Sequence, residues 1–187
     1  MMGVKEGSYH VTASSGKVCV YTFKEGFLSA VAHDLLIEAT NFCADLHVPA
    51  GGMSLARVTA EIQANSLKVI CAMKDGLQRH DLLKEKDKAD IEEATSKDVL
   101  HPDKYPAITF RSINVKEKDG AYHVEGELTL HGVTRPAEIH ARTTTGNDLK
   151  GKLVLSQKDF GIKPYKALLG TLKVKNEVEI TFDLQLK

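Results

Sequence analysis

The stretch YHVEGELTLHGVTRPAEIHAR, residues 122–142, decides the fold of this chain. From Tyr122 to Leu130 every second residue is apolar or glycine, and the residues between them are polar or charged. That period of two is typical of a β-strand with one dry face and one wet face. Gly132 interrupts the pattern where a tight turn needs positive φ. The stretch therefore predicts two antiparallel strands. Pro136 lacks an N–H, so the second strand begins at a sheet edge or pairs only beyond the proline.

The same alternation returns along most of the chain. Six of the seven alternate positions from 172 to 184 are apolar, which predicts one long amphipathic strand. The period changes in the charged segment 79–100, which predicts a helix with one apolar stripe and with Asp87 or Asp81 suited to capping its start. That stripe consists of Leu83, Ile91, Ala94 and Val99. Further strands are predicted at 8–11, 17–23, 33–41, 42–48, 55–64, 107–115 and 149–156.

Eight to ten one-sided strands with short turns and one principal helix predict a mainly β fold. The expected architecture is a single antiparallel β-barrel domain over residues 1–187. A barrel of about eight strands either fills its interior with side chains or encloses one small ligand. Many dry-face positions hold alanine, which predicts either unfilled space or close approach of the helix. These alanines are Ala39, Ala44, Ala56, Ala60, Ala64, Ala137 and Ala141.

Composition and charge exclude several classes of protein. The 25 basic and 25 acidic residues balance, so the basic footprint of a nucleic-acid-binding protein is absent. No apolar run approaches the roughly 18–20 residues that a transmembrane helix needs. The first residues carry no apolar signal-peptide core, and the three cysteines are too few and too scattered for a disulfide framework. We therefore expect a cytoplasmic protein.

Three stretches resemble the signatures of the YceI-like family. The sequence LTLHGVTRP at 128–136 is similar to the family's LTLHGVT(K/R)P motif, and LHPDKYPAITFRS at 100–112 is similar to its YP-x-I-x-F-x-S segment. The sequence DFGI at 159–162 resembles a third motif, and His33 lies where the family often has a histidine. The resemblance implies an extended lipocalin-like barrel with a helix over one side. It also implies a lumen that holds a polyisoprenoid, such as a prenyl quinone or alcohol, often in a homodimer.

The physical chemistry of such a site favours a long ligand. Burying one methylene group contributes about 0.8 kcal/mol, so a five-carbon isoprene unit contributes roughly 3–4 kcal/mol before costs. Association itself costs on the order of 4–15 kcal/mol, so several units are needed. Each candidate wall residue is equally well explained by ordinary core packing. The candidates for ligand binding are Leu35, Ile37, Phe42, Leu46, Val58, Ile62, Ile108, Phe110, Leu128, Leu130, Ile139, Leu153, Leu155, Val174, Val178, Ile180 and Phe182.

No motif for catalysis, cofactor binding or metal binding is present. The eight histidines form no HxH, HxxxH or HExxH spacing, and no nucleophile elbow, P-loop or dinucleotide fingerprint occurs. We expect His131 to play a structural role at the hairpin, and Arg135 is a candidate for contact with an anionic head group. Two alternatives to a binding protein stay open. One is an acid–base enzyme that uses His33 or His131, and the other is a filled barrel that binds a protein.

Overall fold

The computed structural model describes residues 4–25, 33–144, 147–167 and 172–187, and antiparallel strands dominate this part of the chain. One α-helix, α1 (Glu85–Ala94), continues into a π-helical segment, Thr95–Leu100. The mainly β fold with one principal helix is therefore confirmed. The strands are β1 (Gly7–Thr12), β2 (Gly16–Thr22), β3 (Lys24–Glu25), β4 (Asp34–Ala39), β5 (Phe42–Val48), β6 (Arg57–Gln63), β7 (Leu67–Lys74), β8 (Leu77–Arg79), β9 (Ala107–Lys118), β10 (Ala121–Leu130), β11 (Val133–Thr143), β12 (Asp148–Ser156), β13 (Lys166–Ala167), β14 (Leu172–Val174) and β15 (Glu177–Gln185).

Twelve strands form one sheet in the order β1-β5-β6-β9-β10-β11-β12-β15-β2-β4-β7-β8. β4 and β5 are separated by only Thr40 and Asn41, yet they lie near opposite ends of this order. Two residues span too short a distance to bridge a flat sheet of this width, so the sheet must curl until its ends meet. The bend is held by the Thr40 N–H, which donates to the Ser66 carbonyl, and by the Gln63 N–H, which donates to the Asn41 carbonyl (both 3.0 Å).

The hairpin predicted from residues 122–142 is present. β10 and β11 pair from Ala121 opposite Arg142 to Leu130 opposite Val133, and the two turn residues between the strands have φ values of 53° and 73°. On its other side β11 pairs with β12 only from His140 to Thr143. Pro136 therefore pairs with β10 on one side and lies at a sheet edge on the other, where its missing N–H leaves no ladder bond unmade.

The predicted strand over 172–184 is wrong in its continuity, because it divides into β14 and β15. Asn176 interrupts it by bonding to the neighbouring turn. Its side-chain amide donates to the Ser156 hydroxyl (2.9 Å), and its side-chain oxygen accepts the Lys158 N–H (3.0 Å). Its carbonyl also accepts the Gln157 N–H. Local hydrogen bonds of this kind compete with a strand ladder. β14 consequently joins β3 and β13 in a small second sheet of order β13-β14-β3.

The predicted helix over 79–100 begins six residues later than expected. Asp75 and Gly76 have φ values of 53° and 77° and form a tight turn that pairs β8 with β7. An Asp-Gly pair between strands favours such hairpins, and this signal was not used in the prediction. The helix then starts with the Lys84 N–H donating to the Asp87 carboxylate (2.8 Å), so of the two candidates for the cap Asp87 is confirmed. Asp81 lies before the helix and pairs with Arg79 instead (2.6 Å). It ends at His101, whose φ of 49° is left-handed.

Helix α1 is fixed against the edge of the barrel by one carboxylate. Glu92 accepts the backbone N–H of Val69 on β7 (2.9 Å) and pairs with Lys68 (2.7 Å). The apolar residues of the helix thereby face the barrel. Within the described ranges, no helix combines the length and the apolar character needed to cross a bilayer.

Candidate ligand-binding cavity

The barrel encloses a cavity of about 520 Å³. Sites that bury ligands of moderate size typically have volumes of about 300–1,000 Å³. The wall consists of the inward residues of the long strands, with residues of the helix over one side, and it is overwhelmingly apolar. The interior is not filled by side chains, which argues against the alternative of a filled barrel that binds a protein.

All seventeen residues predicted as ligand contacts lie on this wall. They face one another across paired strands, for example Leu46 opposite Val58 and Ile62 opposite Ile108. Alternation along each strand was sufficient to find them, because a closed barrel turns every dry face inward. Their contact with a ligand stays a prediction. The seventeen are Leu35, Ile37, Phe42, Leu46, Val58, Ile62, Ile108, Phe110, Leu128, Leu130, Ile139, Leu153, Leu155, Val174, Val178, Ile180 and Phe182.

Helix α1, the residue pair before it and the π-helical segment after it supply a part of the wall that was not predicted to belong to the site. Leu83, Ile91, Ala94 and Val99 all line the cavity. These four residues are the stripe recognised in the sequence, so the signal was present. The spacing could not show that the stripe faces the cavity, because amphipathicity identifies a buried face but not the part of the protein that covers it.

Only part of the alanine pattern is explained by empty space. Ala44, Ala60 and Ala141 line the cavity, and Ala44 lies directly opposite Ala60 on the β5–β6 pair. Ala39 and Ala56 are almost completely buried but are not part of the cavity wall. Small residues therefore leave room for a ligand at some positions and permit close packing at others.

A few ionisable residues contribute to the otherwise apolar wall. Lys24 and Asp90 are exposed and His33 and Lys173 are half-buried, while all four contribute to the wall. The Lys24 backbone N–H also donates to the Asp34 carboxylate (2.7 Å). Because long charged side chains keep their heads in water, we call these four residues the polar rim of the cavity. The rim offers hydrogen-bond donors and charge to a polar head group.

Away from the rim, the buried polar groups of the wall are already paired. The Tyr122 hydroxyl accepts the Val4 N–H (2.9 Å), and the Gln157 amide donates to the Lys175 carbonyl (2.9 Å). Groups engaged in this way add little polarity to the interior. The deep part of the cavity thus favours a hydrocarbon chain.

Arg135 does not lie on the cavity wall, so the expected contact with a head group has no support. Its Nε donates to the Asp159 carbonyl (3.1 Å), and Nη1 donates to the Thr134 carbonyl (3.4 Å). The side chain instead connects the β10–β11 hairpin to the turn at Gln157–Phe160.

His131 occupies the turn of that hairpin and is not part of the cavity wall. Its ring packs on Tyr105, with centroids 4.3 Å apart, and lies 5.5 Å from the ring of His101. The ring also bonds to the Phe160 backbone, and its Nε2 is enclosed without a hydrogen-bond partner. The structural role expected of His131 is therefore confirmed. Enclosure lowers the pKa of His131, and the nearby His101 and Lys104 act in the same direction.

Acidification should destabilise the protein through His131. A histidine whose pKa is lower in the folded state binds its proton more readily when unfolded, so its contribution to stability is lost as pH falls through the ordinary imidazole range. We expect the midpoint of thermal unfolding to fall between pH 7.5 and pH 5, and to fall less in His131→Asn. Asparagine retains the left-handed turn but does not titrate. An equal fall in both proteins would contradict this assignment.

Comparisons with known proteins agree with the geometry. A family model described as the YceI-like domain matches residues 21–186. A UPF0312 protein of Pseudomonas paraeruginosa is 40% identical over 77 residues, and Protein YceI of Escherichia coli O157:H7 is 37% identical over 79 residues. Each match covers 36% of this chain and spans only 40% of the relative's length.

Two solved structures share the fold. The crystal structure of BcnA from Burkholderia cenocepacia superposes with a TM-score of 0.67 at 18% identity, covering 93% of this chain and 98% of that one. A polyisoprenoid binding domain from Saccharophagus degradans superposes with a TM-score of 0.57 at 11% identity, covering 98% of this chain and all of that one. At such identities the similarity establishes the architecture.

Proposed function

The chain belongs to the YceI-like family, and from that premise we propose that its barrel binds a long apolar amphiphile without chemistry of its own. A polyisoprenoid, such as a prenyl quinone or alcohol, is the ligand class that the site favours. The observation that carries the proposal is the cavity of about 520 Å³ with an apolar interior and a charged rim. The Saccharophagus degradans domain, described as polyisoprenoid binding, gives independent support for this class.

The shape of the site accounts for the preference for a chain over a compact molecule. Each methylene group that leaves water contributes about 0.8 kcal/mol, and a branched prenyl chain offers many of them along one line. Several isoprene units are needed to exceed the roughly 4–15 kcal/mol cost of association. The rim formed by Lys24, His33, Asp90 and Lys173 supports a bound orientation in which the head group stays near water.

One observation favours a second candidate function. His33 lines the cavity, as an acid–base enzyme acting on an amphiphile would require. In the described part of the chain, however, the His33 ring makes no hydrogen bond to another ionisable side chain, and a working base normally needs such an orienting partner. His33→Ala should therefore yield no difference in the chemical form of the recovered ligand. If the recovered ligand is chemically modified by the parent protein but not by His33→Ala, the result would favour the enzyme hypothesis.

Three further properties are part of the proposal. We propose that residues 1–187 form one domain, that the protein acts in the cytoplasm, and that two copies form a homodimer. The thiols of Cys19, Cys43 and Cys71 are free, which supports a reducing compartment. Light scattering after size exclusion tests the dimer, and fractionation of cells that produce the full-length protein tests the location.

Ligand recovery and titration test the proposed function directly. We expect native mass spectrometry and organic extraction of the purified protein to reveal a bound lipid. We also expect the affinity for prenyl alcohols to rise with each added isoprene unit until the cavity is full, because apolar burial grows with chain length. No bound lipid together with equal affinity for short and long prenyl alcohols would contradict the proposal.

A further inference from the structure

Three side chains of types that can bind metal ions lie together on the outer wall of the barrel. His123, Glu138 and His140 each offer a ligand atom, and these atoms all lie within 4.8 Å of one another. This group is the outer histidine cluster. A search for metal motifs along the sequence misses it, because its members belong to two strands and are separated by up to 17 positions.

Strand register brings the cluster together. His123 on β10 lies directly opposite His140 on β11, and Glu138 precedes His140 by two residues on the same face. The two imidazole rings stack with centroids 4.8 Å apart and planes 6° from parallel. His123 Nε2 lies 3.2 Å from a carboxylate oxygen of Glu138. The backbone thus fixes the positions of all three donors.

We propose that the outer histidine cluster binds one divalent transition-metal ion with the preferences of Zn²⁺. Imidazole nitrogen and carboxylate oxygen are ligands that Zn²⁺ takes at about 2.0–2.2 Å, and tetrahedral coordination at that length places ligand atoms about 3.3 Å apart. His123 Nε2 and the Glu138 carboxylate already lie at this separation, and the donors that lie farthest apart have to approach by at most about 1.5 Å, which rotation about side-chain bonds provides. Water completes the coordination of the ion.

The surroundings permit such rotation and limit repulsion of a cation. His123 is 34% exposed and Glu138 is 65% exposed, so both side chains reach solvent. The lysines opposite the two histidines, Lys116 and Lys152, are engaged by carboxylates. Lys116 pairs with Glu125 at 2.7 Å, and Lys152 lies 3.5 Å from Glu179.

The metal site is independent of the lipid cavity. Val124, Ile139 and Ala141 are the inward neighbours of the cluster residues and line the cavity, so the cluster lies on the opposite face of the same two strands. A bound ion would join β10 to β11 from outside. The proposal therefore stands whether or not the barrel carries a lipid.

Calorimetric titration of tag-free protein with ZnCl₂ tests the site. We expect one ion to bind per chain, with affinity lowered at least tenfold in His123→Ala and in His140→Ala and lowered less in Glu138→Gln. The matched control is His47→Ala, since His47 is also an exposed strand histidine. Its ring bonds to the Ser8 hydroxyl (2.9 Å), and among the described residues it belongs to no group of metal-ligating side chains. Its affinity for Zn²⁺ should equal that of the parent protein.

Two outcomes overturn the proposal. One is the absence of saturable Zn²⁺ binding to the parent protein, and the other is unchanged binding in the double variant His123→Ala/His140→Ala. A second measurement needs no variant. Paramagnetic Cu²⁺, which takes similar ligands, should broaden amide resonances around residues 123 and 138–140 first, and broadening centred elsewhere would equally overturn the assignment.

Discussion

Replacing Ala60 with phenylalanine should lower the affinity for a long prenyl alcohol at least tenfold, or about 1.4 kcal/mol. Ala60 lines the cavity and lies between Ala44 on β5 and Phe110 on β9. A phenyl ring at this position occupies space that a ligand would otherwise fill. Each isoprene unit it displaces removes roughly 3–4 kcal/mol of gross apolar burial, so the loss exceeds tenfold if one whole unit is excluded.

The variant should keep its fold, because the added ring enters existing empty space instead of a close-packed core. Ala121→Phe is the matched control, since it makes the same substitution at an exposed position on β10. Fluorescence titration with a prenyl alcohol measures the affinity, and circular dichroism checks the fold. Equal affinity in Ala60→Phe and Ala121→Phe, with both proteins folded, would show that Ala60 is not at the ligand site.

The strands were the most predictable part of the molecule. A single buried face imposes a period of two, so the pattern in residues 122–142 identified both strands of the β10–β11 hairpin and the side of each that faces inward. The division between β14 and β15 was not predictable from that pattern. It depends on Asn176 bonding to a turn some twenty residues earlier in the chain, and hydropathy carries no information about such a contact.

The apolar wall of the candidate site was predictable from alternation along the strands, whereas features that depend on contacts between distant segments were not. Alternation identified the inward residues of the strands, and closure of the barrel makes inward residues into cavity residues. The polar rim depends on where β3 and β14 meet in the small sheet, which is a pairing of segments about 150 residues apart. The outer histidine cluster likewise depends on register between two strands. The pattern in residues 122–142 predicted the hairpin that carries this cluster, but it did not give the exact register that places His123 opposite His140, and it gave no sign of the distant pairing of β3 with β14.

Replacing Gly126 with valine should lower the free energy of unfolding by about 3 kcal/mol, the upper part of the usual range for overpacking. Gly126 is buried on β10, where the register with β9 shifts at a bulge. A Cβ atom there would lie 2.5 Å from the Arg111 carbonyl oxygen and 2.7 Å from Cε2 of Phe110. The carbonyl belongs to the neighbouring strand and cannot move without disturbing the sheet.

Thermal unfolding measures this effect. For a domain of this size, 3 kcal/mol corresponds to a fall of roughly 6–12 °C in the unfolding midpoint. Glu127→Val is the matched control, because it introduces the same side chain at the next position, which is exposed on the outer face. Its stability should change by no more than about 0.5 kcal/mol. Equal midpoints for the two variants would contradict the steric argument.

A second substitution separates the two contacts at Gly126. Phe110→Leu removes the ring atoms that a new side chain would meet, but it leaves the Arg111 carbonyl in place. In the Gly126→Val background it should therefore recover less than half of the lost stability, whereas alone it should destabilise the protein because Phe110 is buried.

Since Phe110 also lines the cavity, the ring displaced in Gly126→Val should enter the space of the ligand and weaken prenyl alcohol binding. Adding Phe110→Leu should restore that affinity more completely than it restores stability, because the backbone clash affects the sheet and the ring affects the cavity.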